Sequence, residues 1–94
     1  MKKSAVLLYR EKRTHAGGII EMVIWQVPEP VPPSEHQFKY RLVFVRDGKR
    51  LVGYDNERGK GDHRHLDSAE TAYTFIDETR LLEDFWQDVK EATK

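Results

Sequence analysis

The 94-residue chain contains no cysteine. That excludes a disulfide framework, a thiol nucleophile and a Cys-based zinc site, and it fits a reducing, cytoplasmic setting. Long apolar runs are missing as well. Ala5-Val6-Leu7-Leu8-Tyr9 ends at Arg10, too short for the apolar region of a signal peptide, and no stretch could span a bilayer, so no membrane association is expected. Neither sign of charge dominates, since 16 Lys and Arg face 16 Asp and Glu. All four prolines lie within residues 28–33. A chain of this length builds one domain around one core, with no staple to reinforce it. Large multi-domain enzymes are excluded, and an active site in so small a core is expected to be shallow, or completed by a second subunit or a partner.

The balanced total hides an asymmetry. Residues 1–66 carry 13 Lys and Arg against 8 Asp and Glu, whereas residues 67–94 carry 3 against 8. A basic portion beside an acidic tail suits contact with an anion on one side and with water or a basic partner on the other.

The apolar pattern predicts an α+β domain. Residues 4–13 alternate as a strand, His15-Ala16-Gly17-Gly18 signals a turn, and residues 19–27 form a second strand rich in β-formers. Pro28-Glu29-Pro30-Val31-Pro32-Pro33 fixes φ and removes donors, giving an extended connector. Residues 38–46 alternate cleanly, and Asp47-Gly48 marks a two-residue hairpin turn into a strand over 49–56. If Arg46 faces Lys49 in an unbroken ladder, Phe44 meets Leu51, Leu42 meets Gly53 and Tyr40 meets Asp55, which turns Asp55 toward the core side. Residues 57–66 contain almost nothing apolar and read as a long basic loop; Tyr73-Thr74-Phe75 suggests a short strand. Asp77 is placed to cap a helix over 77–92, with Ile76 and Leu81 spaced for a hydrophobic staple and Leu81, Leu82, Phe85, Trp86 and Val89 forming its apolar stripe. The expected architecture is a four-stranded antiparallel meander with the C-terminal helix on one face. Because one helix covers one face and the second strand is apolar on both sides, the other face is expected to meet a partner or a second copy, as in a homodimer.

The chemistry concentrates in the basic loop. His63 and His65 project to the same side if the backbone is extended, roughly 7 Å apart at about 3.3 Å per residue. Two imidazoles so placed can serve a phosphodiester as general base and general acid, or bind a metal. Arg58, Lys60 and Arg64 would hold the phosphate, and Gly59 and Gly61 leave backbone N–H groups open to anions. Asp55 would orient a histidine or complete a His/His/carboxylate set. His15 and His36 read as surface residues, and Trp25 and Trp86 as core anchors, with base stacking the alternative for an exposed Trp25.

Glu21-Met22-Val23-Ile24-Trp25-Gln26-Val27-Pro28, Phe38-Lys39-Tyr40-Arg41-Leu42, and above all Val52-Gly53-Tyr54-Asp55-Asn56 followed by His63-Arg64-His65 resemble the small TumE-type toxin family of prokaryotic toxin–antitoxin modules. The resemblance covers nearly the whole chain, and its matching positions are Tyr54, Asp55, Asn56, His63 and His65. Many members of that family have adjacent histidines, whereas Arg64 separates them here. The resemblance implies a genetic context with a cognate antitoxin. Taken with the basic loop it gives an RNA-directed toxin in which His63 and His65 act as base and acid, Arg58, Lys60 and Arg64 stabilise charge, and Asp55, Tyr54 and Asn56 support the loop, with no metal or cofactor required. Two other readings stand beside it: a nucleic-acid- or protein-binding module without catalysis, and a metal-dependent phosphoesterase or nucleotidyl transferase.

Overall fold

The computed structural model describes residues 4–94. Six strands form one antiparallel sheet in sequential order, β1 (Val6–His15), β2 (Gly18–Gln26), β3 (Phe38–Arg46), β4 (Lys49–Glu57), β5 (Gly61–Leu66) and β6 (Ala69–Ala72), followed by helix α1 (Glu78–Ala92). The domain is thus α+β with a C-terminal helix as expected, but the meander has six strands rather than four. Residues 61–66, expected to be loop, are a strand, and the short strand expected at Tyr73–Phe75 is replaced by β6 just before it.

The reason β5 escapes an apolar pattern is that polar partners replace apolar burial on its helix-side face. Asp62 accepts hydrogen bonds from Ser34 and Tyr40 and contacts His36, and Arg64 forks onto Asp88 of the helix. Gly59 and Gly61, both at positive φ, make the turn that admits this strand.

The core lies between α1 and one face of β2–β4. Ile20, Met22, Ile24, Tyr40, Leu42, Phe44, Val52 and Tyr54 meet Leu81, Phe85 and Val89, all essentially excluded from solvent. Gly18 permits this closeness, because a Cβ there would sit 2.6 Å from the Val45 carbonyl oxygen and 2.7 Å from the Phe44 ring. Asp77 caps the helix by accepting from the Arg80 N–H at 2.7 Å. The staple is absent, since Ile76 is 63% exposed. Trp25 lies half-buried on the face away from the helix, so it is no core anchor, while Trp86 packs beside the core under Arg13.

One irregularity sets the site. The β3–β4 ladder begins at Arg46↔Lys49 and Val45↔Arg50, then resumes at Phe44↔Val52, leaving Leu51 as an extra residue in β4. Beyond this bulge Leu42 faces Tyr54 and Arg41 faces Asp55. The unbroken register was therefore one residue out, and a one-residue slip exchanges faces. Tyr54 and Asn56 enter the core side, and Asp55 moves to the face that α1 leaves open.

Candidate functional site on the open sheet face

The β4–β5 ladder opposes Asp55 to His63 and Gly53 to His65. Opposed residues share a face, so the open face gathers Asp55, His63 and His65, one ligand atom of each lying within 4.8 Å of the others. The two imidazole centroids are 4.9 Å apart and nearly perpendicular, at 79°. The groups sit on the sheet floor, with side chains 16%, 6% and 12% exposed respectively.

Hydrogen bonding gives the two histidines different states. His63 Nδ1 is 2.9 Å from the Gly61 carbonyl oxygen, which only accepts, so Nδ1 carries a proton. Its Nε2 faces Asp55 Oδ1 at 2.5 Å and Glu70 Oε1 at 3.7 Å. Despite this proximity the buried Asp55 Oδ1 has no hydrogen-bond partner. His65 Nδ1 lies 3.0 Å from Arg50 Nη2. A guanidinium only donates, so His65 Nδ1 accepts and the ring proton sits on Nε2, 3.8 Å from Asp55 Oδ1. Burial, and then the Arg50 charge, hold the His65 pKa below the ordinary imidazole value. A Lys60–Glu70 ion pair of 2.9 Å lies over His63; the Glu70 hydrogen bond raises the lysine pKa, and the Lys60 hydrogen bond lowers the carboxylate's.

Arg50, Glu70 and Gly53 were not singled out in the sequence. Arg50 reaches His65 by crossing Gly53, where a Cβ would lie 3.1 Å from Arg50 Cδ and 3.5 Å from His65 Cβ. The one available signal was a glycine inside a strand, which often marks a close approach by another group.

The remaining expected site residues divide between the two faces. Arg58 is exposed at the β4–β5 turn, and Lys60 is engaged by Glu70. The Gly59 N–H is not open to anions; it donates to the Pro32 carbonyl at 2.8 Å. Arg64 points to the helix side, where Nε and Nη2 donate to the Asp88 carboxylate at 2.7 and 2.6 Å. Asp88 also accepts from the Tyr54 hydroxyl, whose pKa burial and this bond push far above its usual value. Asn56 is fully buried, accepting from the Tyr40 N–H at 3.0 Å and donating to the Phe38 carbonyl at 2.7 Å. Tyr54, Asn56 and Arg64 thus brace the sheet from behind the site. His15 and His36 are not free surface residues: His15 packs edge-on against Trp86, and His36 stacks on Phe75 at 3.9 Å while bonding Asp62.

This arrangement can move protons between two unlike imidazoles beside a carboxylate. The Asp55, His63 and His65 donor set also fits a divalent cation, with the Gly61 carbonyl orienting His63 in the manner of an outer-sphere partner. Arg50 opposes the second use, because coordination through His65 Nε2 would place a proton on the nitrogen that Arg50 now binds.

None of the curated proteins and no solved structure matches the chain. No helix among the described residues is long and apolar enough to cross a membrane. The family model for the toxin TumE matches residues 2–93, and so takes in both strands that carry the Asp55, His63 and His65 cluster; the chain belongs to the TumE toxin family.

Proposed function

We propose that this toxin cleaves RNA with His63 and His65 as its acid–base pair, and that its partner in the cell is the cognate antitoxin its family implies. The observation that carries the reading is the unlike environment of the two rings. His63 lies against two carboxylates, Asp55 and Glu70, with its Nδ1 on the Gly61 carbonyl, whereas His65 Nδ1 meets the Arg50 guanidinium, and burial and that charge favour its neutral form. His65 takes the proton of a ribose 2′-OH, whose oxygen attacks the adjacent phosphorus. His63 returns a proton to the departing 5′-oxygen, leaving a 2′,3′-cyclic phosphate and a 5′-hydroxyl. The oxyanion draws Arg50 from His65, which frees the Nδ1 lone pair and places the guanidinium on the developing charge. Arg58, and Lys60 once parted from Glu70, add to the phosphate field.

The test is incubation of end-labelled RNA with wild-type protein and with His63→Ala and His65→Ala, each with and without chelator. Loss of cyclic-phosphate products in both variants, with RNA affinity retained and chelator without effect, is the expected result. Equal loss of affinity and cleavage would refute the acid–base roles. The buried Asp55 Oδ1 without a hydrogen-bond partner favours a second reading, a cation-dependent phosphoesterase. Under that reading purified protein retains stoichiometric metal, Asp55→Ala loses it, and chelator stops cleavage.

A further inference from the structure

The cluster of Asp55, His63 and His65 lies at one end of a line of side chains that crosses the sheet. Arg10 opposes Val23, Val23 opposes Arg41, Arg41 opposes Asp55, and Asp55 opposes His63. Directly opposed residues point to one face, so all five occupy the open side. With strands about 4.8 Å apart, Arg41 stands one spacing from Asp55 and Arg10 three spacings, about 14 Å, away. Both arginines are exposed, and among the described residues neither has a carboxylate within ion-pair distance. By contrast Lys12 pairs with Glu21, Lys60 with Glu70 and Arg64 with Asp88. Arg10, Val23 and Arg41 line one shallow depression of about 290 Å³, together with Met22, Glu11 and the Lys12–Glu21 ion pair. Trp25, two residues from Val23 on the same strand and therefore on the same face, borders this line half-buried.

We propose that this line is the track of a single-stranded RNA, laid across the strands with its phosphates on Arg41 and Arg10 and a base on Trp25. The proposal rests on the reading of the histidine cluster as an RNA-cleaving site, and it adds the substrate class and three contacts. Charge fixes the polarity of the occupant: two guanidinium groups without an ion-pair partner call for a polyanion, while the helical segment, with 3 Lys and Arg against 6 Asp and Glu over residues 77–94, repels one. Depth fixes the strandedness. His63 is 6% exposed at floor level, and a rigid duplex resting on raised arginine and lysine side chains holds its backbone away from it. A flexible strand settles between them, and cationic side chains interleaved with an aromatic face are how single strands are held without regard to sequence.

The test is fluorescence anisotropy with a labelled 12-nucleotide RNA, alone and annealed to its complement, in a His63→Ala/His65→Ala background that blocks cleavage. Arg10→Ala, Arg41→Ala and Trp25→Ala are introduced singly, with Lys90→Ala on the helix as control, and circular dichroism monitors folding. The single strand is expected to bind more tightly than the duplex. Each arginine variant should lower the slope of log affinity against log salt by about 0.7, as expected for one lost contact to a single strand. Trp25→Ala should weaken binding about 5- to 150-fold, the loss of one base stack. Arg41→Lys should keep the salt slope. Unchanged affinity and slope in both arginine variants, or equal binding of the duplex, would overturn the track. A dimer that buries this face and excludes RNA, detected by sedimentation at the assay concentration, would overturn it as well. Cleavage by the parent protein separates the two claims: cleavage with indifferent arginine variants removes the track and leaves the catalytic reading, whereas arginine-dependent binding without cleavage does the reverse.

Discussion

Gly53→Ala adds one methyl group on the floor of the site, and the structure gives its consequence in distances. The new Cβ would lie 3.1 Å from Arg50 Cδ and 3.4 Å from Nε. Carbon atoms in contact prefer about 3.5–4.0 Å, so the arginine stem must retreat by roughly 0.5 Å. The bond it makes to His65 Nδ1 is 3.0 Å long, and stretching it by that amount takes it beyond the range of real hydrogen bonds, about 2.7–3.2 Å. His65 Cβ, 3.5 Å from the new methyl, blocks withdrawal toward the ring, so the guanidinium swings away toward solvent. Arg50 is one of the two leading causes of the lowered His65 pKa. Its departure should therefore raise the His65 titration midpoint toward the ordinary imidazole value.

The assay is the pH dependence of the His65 ring proton signal by NMR in chelator-treated buffer, comparing wild type, Gly53→Ala and Arg50→Ala. Both variants should shift the midpoint upward, the second without any added methyl. Thermal melting supplies an independent check. Alanine in place of a strand glycine is worth about 0.5–1 kcal/mol, or about 2–8 °C in a domain of this size. Loss of one exposed polar contact offsets much of that gain. Little net change in Tm is expected. A midpoint unmoved in both variants, together with a rise of several degrees in Gly53→Ala, would mean that Arg50 does not rest on His65 and would remove the basis for assigning the two rings.

Other consequences can be checked by simpler means. Asn56→Ala strips buried partners from the Tyr40 N–H and the Phe38 carbonyl, at a cost of about 2–4 kcal/mol; a urea midpoint within error of wild type would contradict that buried network. Arg64→Ala leaves Asp88 with its buried carboxylate uncompensated and should cost about 1–3 kcal/mol, discounted for the partial exposure of the guanidinium, whereas Arg58→Ala should leave Tm unchanged and weaken only RNA binding. The reverse ranking would return Arg64 to the phosphate-binding set. Stability should decline as pH falls below about 6.5, because the fold holds His65 below the ordinary imidazole value and the unfolded chain takes up the proton first. That contribution is fully present above 6.5 and is lost as the pH falls through it. Denaturant titrations from pH 7.5 to 5.5 should show the decline, with a shallower slope in Arg50→Ala; equal slopes would exclude His65 as its source.

The parts of the fold that announce themselves in sequence are those stabilised by apolar periodicity or by a single turn residue. Residues 38–46 alternate and are β3; Asp77 precedes the stripe from Leu81 to Val89 and caps α1; Asp47-Gly48 makes the hairpin. β5 is invisible to the same logic, because Asp62 and Arg64 satisfy the helix-side face through hydrogen bonds and a fork onto Asp88 that only the tertiary fold supplies. The pairing of His63 with His65 on one side was legible from strand period alone, once the segment is extended. Asp55 was singled out beside the histidines, where the structure has it, but was turned to the wrong face, and the difference is one residue.

Leu51 decides that orientation. A regular ladder from Arg46↔Lys49 would bring Asp55 beneath α1, among Tyr40 and Leu42, and would send Tyr54 and Asn56 to the open face. The extra residue at Leu51, whose carbonyl is held by the Asp67 N–H at 2.9 Å, reverses every later position of β4. The same displacement places Arg50 before the bulge and Gly53 after it, so that the arginine can lie over the glycine to reach His65. No local preference of Leu51 signals a bulge; it follows from competing demands, a tight turn at Asp47-Gly48 and the burial of Val52, Tyr54 and Asn56, which only an inserted residue reconciles. Deleting Leu51 would restore the regular register and exchange the faces of Tyr54 and Asp55. Because this would drive a carboxylate into the core and expose two buried aromatic and amide side chains, the deletion should abolish folding rather than merely activity. A folded deletion variant, with native near-ultraviolet circular dichroism and wild-type melting, would show that the bulge does not set the register and that the assembly of the site has another cause.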